Sequence, residues 1–291
     1  MTSLALLFVL LSAGAHATWN LLMKRAIRPE VFSWWLLASA AVLMAPLGAV
    51  LLWREPPAPT GWLFIIGTAL LHVLYFTFLS RSYARTDLSL AYPIARGTGP
   101  ALVPIAGVLV LRESVAPLAI GGIVSVVAGI YTIYWGGRFR RLIKEPLALF
   151  KASGTRYALL TGLVITAYSL WDKQGVSYVN SFLYIYMLTL GTALCLAPYI
   201  MVMHGAEAVR AEWRRNAPRI VVAGLLTFLA YGLVLTALTF SQVSYIAPAR
   251  EVGIVFGALL GVLVLHEPFG RSRILGSCLV ILGLVLIAVS P

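Results

Sequence analysis

Charge is what this chain has least of. Acidic and basic side chains together make up 11% of its 291 residues, against roughly a quarter in a soluble globular domain. Only ten residues are acidic, too few and too scattered to suggest a carboxylate pair for acid–base chemistry. The four histidines are scattered as well, so neither a metal nor an organic cofactor is expected. Cysteine occurs twice, as Cys195 and Cys278, each inside an apolar run and without pairing or metal-ligand spacing. Both read as small packing residues. A basic n-region is also missing from the amino end. Leu4 to Leu11 is like the apolar part of a secretory signal and Ala15-His16-Ala17 like its cleavage site, but the apolar run continues past Ala17. This segment is read as a first membrane span.

What remains is overwhelmingly apolar: 60% hydrophobic residues, with a mean hydropathy of +0.92. Apolar runs fall at residues 4–23, 31–53, 62–83, 88–111 and 117–135, then at 157–176, 182–203, 220–240, 243–265 and 274–289. Each approaches or exceeds the about 20 residues that cross a bilayer as a helix, which satisfies its own backbone in lipid. The pattern predicts an all-α integral membrane protein of ten transmembrane helices. A basic connection at 136–155 divides it into a first five-helix repeat, 1–135, and a second, 156–291.

The halves are related in sequence. AYPIARGTGPALVPIAGVLVLRE, from Ala91 to Glu113, aligns without gaps on YIAPAREVGIVFGALLGVLVLHE, from Tyr245 to Glu267. Arg96 falls on Arg250, Gly99 on Gly253 and Glu113 on Glu267. On the first and sixth spans, Trp19-Asn20 matches Trp171-Asp172 and His16 matches Tyr168. Five spans per copy is an odd number, so the second copy enters the membrane in the opposite sense. Such inverted repeats, with Pro- or Gly-interrupted spans in matching places, point to a secondary transporter and its binding site.

The net charge of +12 does not point to nucleic acid, because the basic residues occupy connections. Odd-numbered connections hold Lys24, Arg25, Arg28, Arg81, Arg85, Arg138, Arg140, Arg141, Lys144, Lys151, Arg156, Arg210, Arg214, Arg215, Arg219, Arg271 and Arg273. Even-numbered ones hold Arg54, Arg112 and Lys173. The positive-inside rule puts the odd connections in the cytoplasm and both termini outside. Only Arg96 and Arg250 have no place in a connection.

An arginine in hydrocarbon costs at least about 2.5–3.5 kcal/mol and usually faces a cavity or a partner. One reading makes the pair guanidinium forks for a carboxylate or phosphate-like group. The other has them brace loosened carbonyls beside Pro93 or Pro248, with Glu251 neutralising Arg250. Glu251 and Asp172 are the candidate carriers of a coupled proton, Asp172 having an interfacial pair with Lys173 as its alternative. His16, Trp19, Asn20 and Met23 form one helix face, as do Tyr168, Trp171, Asp172 and Gly175. Both stripes are too polar for lipid. Substrate contacts are assigned to Arg96, Arg250, His16, Trp19, Asn20, Tyr75, Tyr168, Trp171 and Tyr231, with His72 as a further cavity-lining residue. Glu113 and Glu267 read as structural caps, and Trp34, Trp35, Trp53, Trp62 and Trp135 as an interface belt. Gly107, Gly261, Gly121, Gly122, Gly129, Gly276 and Gly283 read as points of close helix approach.

The motifs ALVPIAGVLVLRE, ending at Glu113, and IVFGALLGVLVLHEP, ending at Pro268, resemble the EamA-like branch of the drug/metabolite transporter superfamily over nearly the whole chain. HATWNLLMKRA, from His16 to Ala26, is similar to a subgroup of bacterial members. The resemblance implies ten helices around a central cavity, a multi-pass protein of a bacterial-type inner (plasma) membrane, and export or exchange of a small molecule. It implies termini in the cytoplasm, opposite to the charge count. The expected partners are a small anionic or zwitterionic metabolite, the lipid bilayer and a coupled proton, with the chain a monomer or weak dimer. A cationic-drug exporter of the same superfamily, a passive channel and an integral-membrane lipid-modifying enzyme are the rivals. The enzyme would need a nucleophile–base set or carboxylate pair that the sequence lacks.

Overall fold

A computed structural model describes residues 1–85, 88–135, 153–265 and 270–291. Among them the regular elements are all helices: α1 (Ser3–Met23), α2 (Pro29–Leu43), α3 (Ala45–Arg54), α4 (Pro59–Tyr83), α5 (Leu88–Leu111), α6 (Pro117–Trp135), α7 (Ser153–Gly175), α8 (Ser181–Phe240), α9 (Val243–Ala249), α10 (Val252–Leu265) and α11 (Arg271–Val289). Helix starts follow the local chemistry. The Thr2 hydroxyl accepts the Ala5 amide at 3.2 Å, and proline opens α2, α3 and α4, where its missing N–H costs nothing. Glu267 and the residues from Arg138 to Lys151 lie outside the described residues. Helix α7 begins at Ser153, within the connection drawn at 136–155.

The burial pattern is that of a protein solvated by lipid. Leu63, Ile66, Leu109, Val202, Leu263 and Leu275 are exposed, while Asp172, Thr68, Thr161 and Thr192 are fully buried. Among the described residues seven helices, counting α9 with α10 as one, are long and apolar enough to cross a bilayer, and α2 with α3, bent by 55°, makes an eighth. Helix α7 falls short because Arg156, Asp172 and Lys173 lie within it; its Thr155, Thr161, Ser169 and Asp172 face inward.

Contacts between helix ends define two faces. On one, Glu55 meets Asn180, Phe64 stacks on Tyr178, and Lys173 reaches Leu238 and Ser241. On the other, Arg28 and Glu30 meet His204, Ser82 meets Gly154, and Arg85 lies over Tyr157. The second will be called the basic face, since Lys24, Arg25, Arg28, Arg81, Arg85 and Arg156 flank these contacts.

Helix α8 begins and ends on the first face yet touches the basic face near Gly205. It is therefore two helices joined at one break, where Gly205 adopts φ 77° and ψ 157°, a conformation that only glycine takes without strain. The apolar runs at 182–203 and 220–240 place a connection at 204–219. Instead Ala206 to Arg219 stays helical, as its Ala, Glu and Arg content favours. It docks through Glu212, which is fully buried and accepts the amides of Ile27 and Arg28 at 3.3 and 2.8 Å. Trp35 donates to the Val209 carbonyl and Trp34 to that of Ala193, so these two indoles join helices rather than an interface belt. Trp53 and Trp62 remain exposed.

The halves interlock. Helix α1 packs on α8 and α10, whereas α7 packs on α4 and α5, so each copy lends its first helix to the other. Helices α6 and α11 cross so closely that a Cβ on Gly122 would stand 2.7 Å from the Gly283 carbonyl, and one on Gly129 2.7 Å from that of Gly276. Gly122 corresponds to Gly276 and Gly129 to Gly283 in the alignment that pairs Arg96 with Arg250. The contact is isologous, the mark of a two-fold axis, and the rising order on one helix against the falling order on the other makes the helices antiparallel. The two copies thus run in opposite senses. Gly121 touches nothing within 4 Å and takes no part.

Candidate functional site

The two arginines sit in unlike backbones. Helix α5 runs unbroken through Arg96, which departs from the expectation of two interrupted spans. Its counterpart breaks at Arg250-Glu251, where i→i−3 bonds join Glu251 to Pro248 at 3.1 Å and Gly253 to Arg250 at 3.0 Å. The second copy has Glu251 where the first has Gly97. At that turn the Glu251 carboxylate crosses the interface between the halves and pairs with Arg96 at 3.0 Å, the Glu251 side chain being 7% exposed and that of Arg96 13%. Arg96, not Arg250, is the arginine that Glu251 neutralises.

Arg250 is left with a ring instead of a carboxylate. Its guanidinium lies 5.2 Å from the centroid of Tyr231, in cation–π range, and makes no ion pair among the described residues. Tyr231 belongs to a cluster drawn from three helices. The His72 ring is 4.5 Å from Tyr168 and 5.8 Å from Tyr231, and Tyr75 is 6.0 Å from Tyr168.

Below the cluster Asp172 is wholly buried. Its two oxygens accept the Tyr184 hydroxyl at 2.8 Å and the Tyr231 hydroxyl at 2.5 Å. Lys173 does not pair with it. Adjacent helical residues point to different faces, and the Lys173 ammonium instead donates to the carbonyls of Leu238 at 2.6 Å and Ser241 at 2.9 Å.

A cavity of about 160 Å³ runs inward from the basic face. Glu30, Tyr83, Tyr199 and Ile200 line its outer part, and His16, Trp19, Asn20, Tyr75, Ala95 and Arg96 its inner part. His16 receives the Trp19 indole N–H at 3.3 Å and stands within electrostatic reach of both arginines. The Asn20 amide donates to the His16 carbonyl. The predicted stripe of α1 therefore faces the cavity, with Arg96 and Tyr75. Tyr168, Tyr231, Arg250, Glu251 and Asp172 stand behind that wall. Trp171 lies apart: its indole donates to the Phe64 carbonyl at 2.9 Å and covers Gly67, a packing role between α4 and α7.

The opposite face is closed by capping. Arg112, at φ 59°, turns the chain after α5 and lets Glu113 accept the amides of Val243 and Ser244 at 2.9 and 3.0 Å, together with the Ser244 hydroxyl. A Cβ on Gly107 would fill the room this clasp uses. Lys173 holds the last carbonyls of α8, so a carboxylate caps the start of α9 and an ammonium the end of α8. Sequence reasoning missed Tyr184, Thr68 and the Glu30–His204 pair at 2.8 Å by the cavity mouth. A tyrosine, a threonine and a histidine in or beside apolar runs carry no distinguishing spacing.

The model of the EamA-like transporter family matches residues 3–135 and 152–289. No curated protein matches the chain. A solved crystal structure of a protein 14% identical in sequence superposes with a TM-score of 0.76, covering 98% of this chain and 96% of that one, which shows a shared fold.

Proposed function

The chain belongs to the EamA-like transporter family of membrane proteins, and from that premise we propose that it carries a small anionic or zwitterionic metabolite, amino-acid-like or phosphate-like, by alternating access. The observation that carries this reading is the division of labour between the arginines. Glu251 hydrogen-bonds to Arg96, while Arg250 makes no ion pair among the described residues and lies on the Tyr231 ring, beside His16 of the cavity wall. A guanidinium with no carboxylate in contact, in a low-dielectric interior, is a strong site for a carboxylate or phosphate oxygen pair. Arg96, His16, Trp19, Asn20, Tyr75, Tyr168 and Tyr231 shape the path to it, and Glu251 or Asp172 carries a coupled proton.

The transport unit in this reading has ten spans: α1, α2 with α3, α4, α5, α6, α7, the two parts of α8, α9 with α10, and α11. Helix α7 is a span whose low hydropathy comes from the charged residues near its ends, Arg156, Asp172 and Lys173. Residues 1–135 and 156–291 are the rocking halves, joined by 136–155. The cavity opens toward the basic face, which the positive-inside rule makes cytoplasmic, with the termini outside a bacterial-type inner membrane.

The test is a thermal-shift screen of the purified protein with L-glutamate, L-phenylalanine, inorganic phosphate and methylphosphonate, with choline and tetraphenylphosphonium as cations. Anionic or zwitterionic ligands should stabilise the parent and lose that effect in Arg250→Ala. Stabilisation by cations alone, or anion effects that survive Arg250→Ala, would overturn the reading.

A further inference from the structure

Asp172 is the most deeply buried carboxylate in the site, and the transport reading names it and Glu251 alike as proton carriers. Among the described residues its neighbours come from three helices. From α4 come His72 and Thr68, from α8 Tyr184 and Tyr231. On its own helix Lys173 is turned to the Leu238 and Ser241 carbonyls, and Tyr168 stands one turn away in the aromatic cluster. Among the described residues none of the groups on Asp172 is a fixed cation. The nearest permanent positive charge in that chain of contacts is Arg250, and the two meet through one side chain: Tyr231 donates its hydroxyl to Asp172 and offers its ring face to Arg250. Glu251, the other acidic residue of the site, is already engaged by Arg96.

We propose that Asp172 is the proton-binding residue of the transport cycle and that Tyr231 couples it to the anion site, so that an anion on Arg250 and a proton on Asp172 are carried together. This rests on Arg250 receiving the anion. In the empty site Arg96, Arg250, Glu251 and Asp172 together carry no net charge, and Tyr231 joins Asp172 to Arg250. A seated anion leaves these groups one negative charge in excess, and in a low-dielectric interior an uncompensated charge is expensive. Glu251 is held by Arg96, so the excess falls on the Asp172 carboxylate. It takes one proton from the aqueous cavity, where Tyr75 lines the wall and His72 stands between Tyr75 and Asp172. One O–H bond forms on Asp172, hydronium is the donor, and no bond of the substrate changes. Loaded and empty sites are both neutral, so either can cross between faces without moving net charge through the bilayer. The coupling is reciprocal: the proton strengthens anion binding by the factor by which the anion strengthens proton binding.

Infrared spectroscopy of the purified protein in lipid tests this without knowledge of the substrate. The protonated-carboxyl C=O band should grow as pH falls, disappear in Asp172→Asn and persist in Glu251→Gln. Asp172→Glu keeps a carboxyl and should retain a titrating band, which serves if the asparagine variant does not fold. In Arg250→Met, where the cation is removed as a bound anion would neutralise it, the band should persist to a pH higher by about one unit, a tenfold change in proton affinity. Arg250→Lys should titrate like the parent. A titration unchanged by Asp172→Asn, or unmoved by Arg250→Met, would overturn the proposal. Loss of the anion reading appears in the ligand screen instead and leaves the infrared titration as it stands.

Discussion

Glu251 changes the meaning of the arginine pair. Sequence alignment makes Arg96 and Arg250 equivalent, and both stand out as basic residues with no connection to occupy. Their environments differ because one position along, the copies hold Gly97 and Glu251. The carboxylate could have reached either arginine, and adjacency in sequence favours Arg250. The turn at Arg250-Glu251 aims it at Arg96 instead. Replacing Glu251 with Gln should leave Arg96 as a buried cation without its counter-charge. Breaking one partner of a buried pair costs about 3–5 kcal/mol; with both side chains slightly exposed to the cavity, about 3 kcal/mol is expected. A clear fall in unfolding temperature in detergent, with partial recovery in Arg96→Met/Glu251→Gln, checks this. A Glu251→Gln protein as stable as the parent would deny the pair its role. The aromatic residues were legible as a group, since Tyr75, Tyr168 and Tyr231 lie mid-span, but which rings touch was not.

At the scale of helices, the glycines were the most readable feature and the connections the least. Gly122 and Gly129 face Gly283 and Gly276 because two helices of opposite direction can bring backbone to backbone only where no Cβ intervenes. Gly129→Leu should therefore separate α6 from α11 and destabilise the protein. The cost is roughly 1–3 kcal/mol for overpacking a tight contact. Gly121→Leu, one residue beside Gly122 and open to its surroundings, should have almost no effect on the melting temperature. Comparable losses in both would mean that small size is not what the crossing needs. Helix α8 was misread at its middle for an identifiable reason: charge suggested a loop, while the Ala-, Glu- and Arg-rich stretch after Gly205 is helical in its own right and gains Glu212 as an anchor under the α1–α2 turn.

For the whole molecule, the cavity and the clasps lie at opposite ends. Ser33 lines the cavity from the basic face; Ser244 is buried beneath Glu113 on the other. In a protein with Cys195 and Cys278 replaced, Ser33→Cys should react with a membrane-impermeant maleimide applied to the basic face, and Ser244→Cys should resist from either side. Weakening the clasp with Glu113→Ala should open the second position to the reagent at the opposite face. Labelling of Ser244→Cys in the parent background would show that this face is not closed.

Composition and repetition determined much on their own. Scarce charge, long apolar runs and a gapless internal alignment are one-dimensional quantities, and they suffice for a helical membrane protein built from two related halves, with two arginines where lipid should be. The tertiary structure decided what those halves do to each other. The exchange of α1 and α7, the antiparallel glycine crossing, the choice of Arg96 by Glu251 and the linkage of Asp172 to Arg250 through Tyr231 are contacts between residues far apart in the chain. Local pattern records which side chains must leave the lipid. Only packing fixes which of them then share a charge.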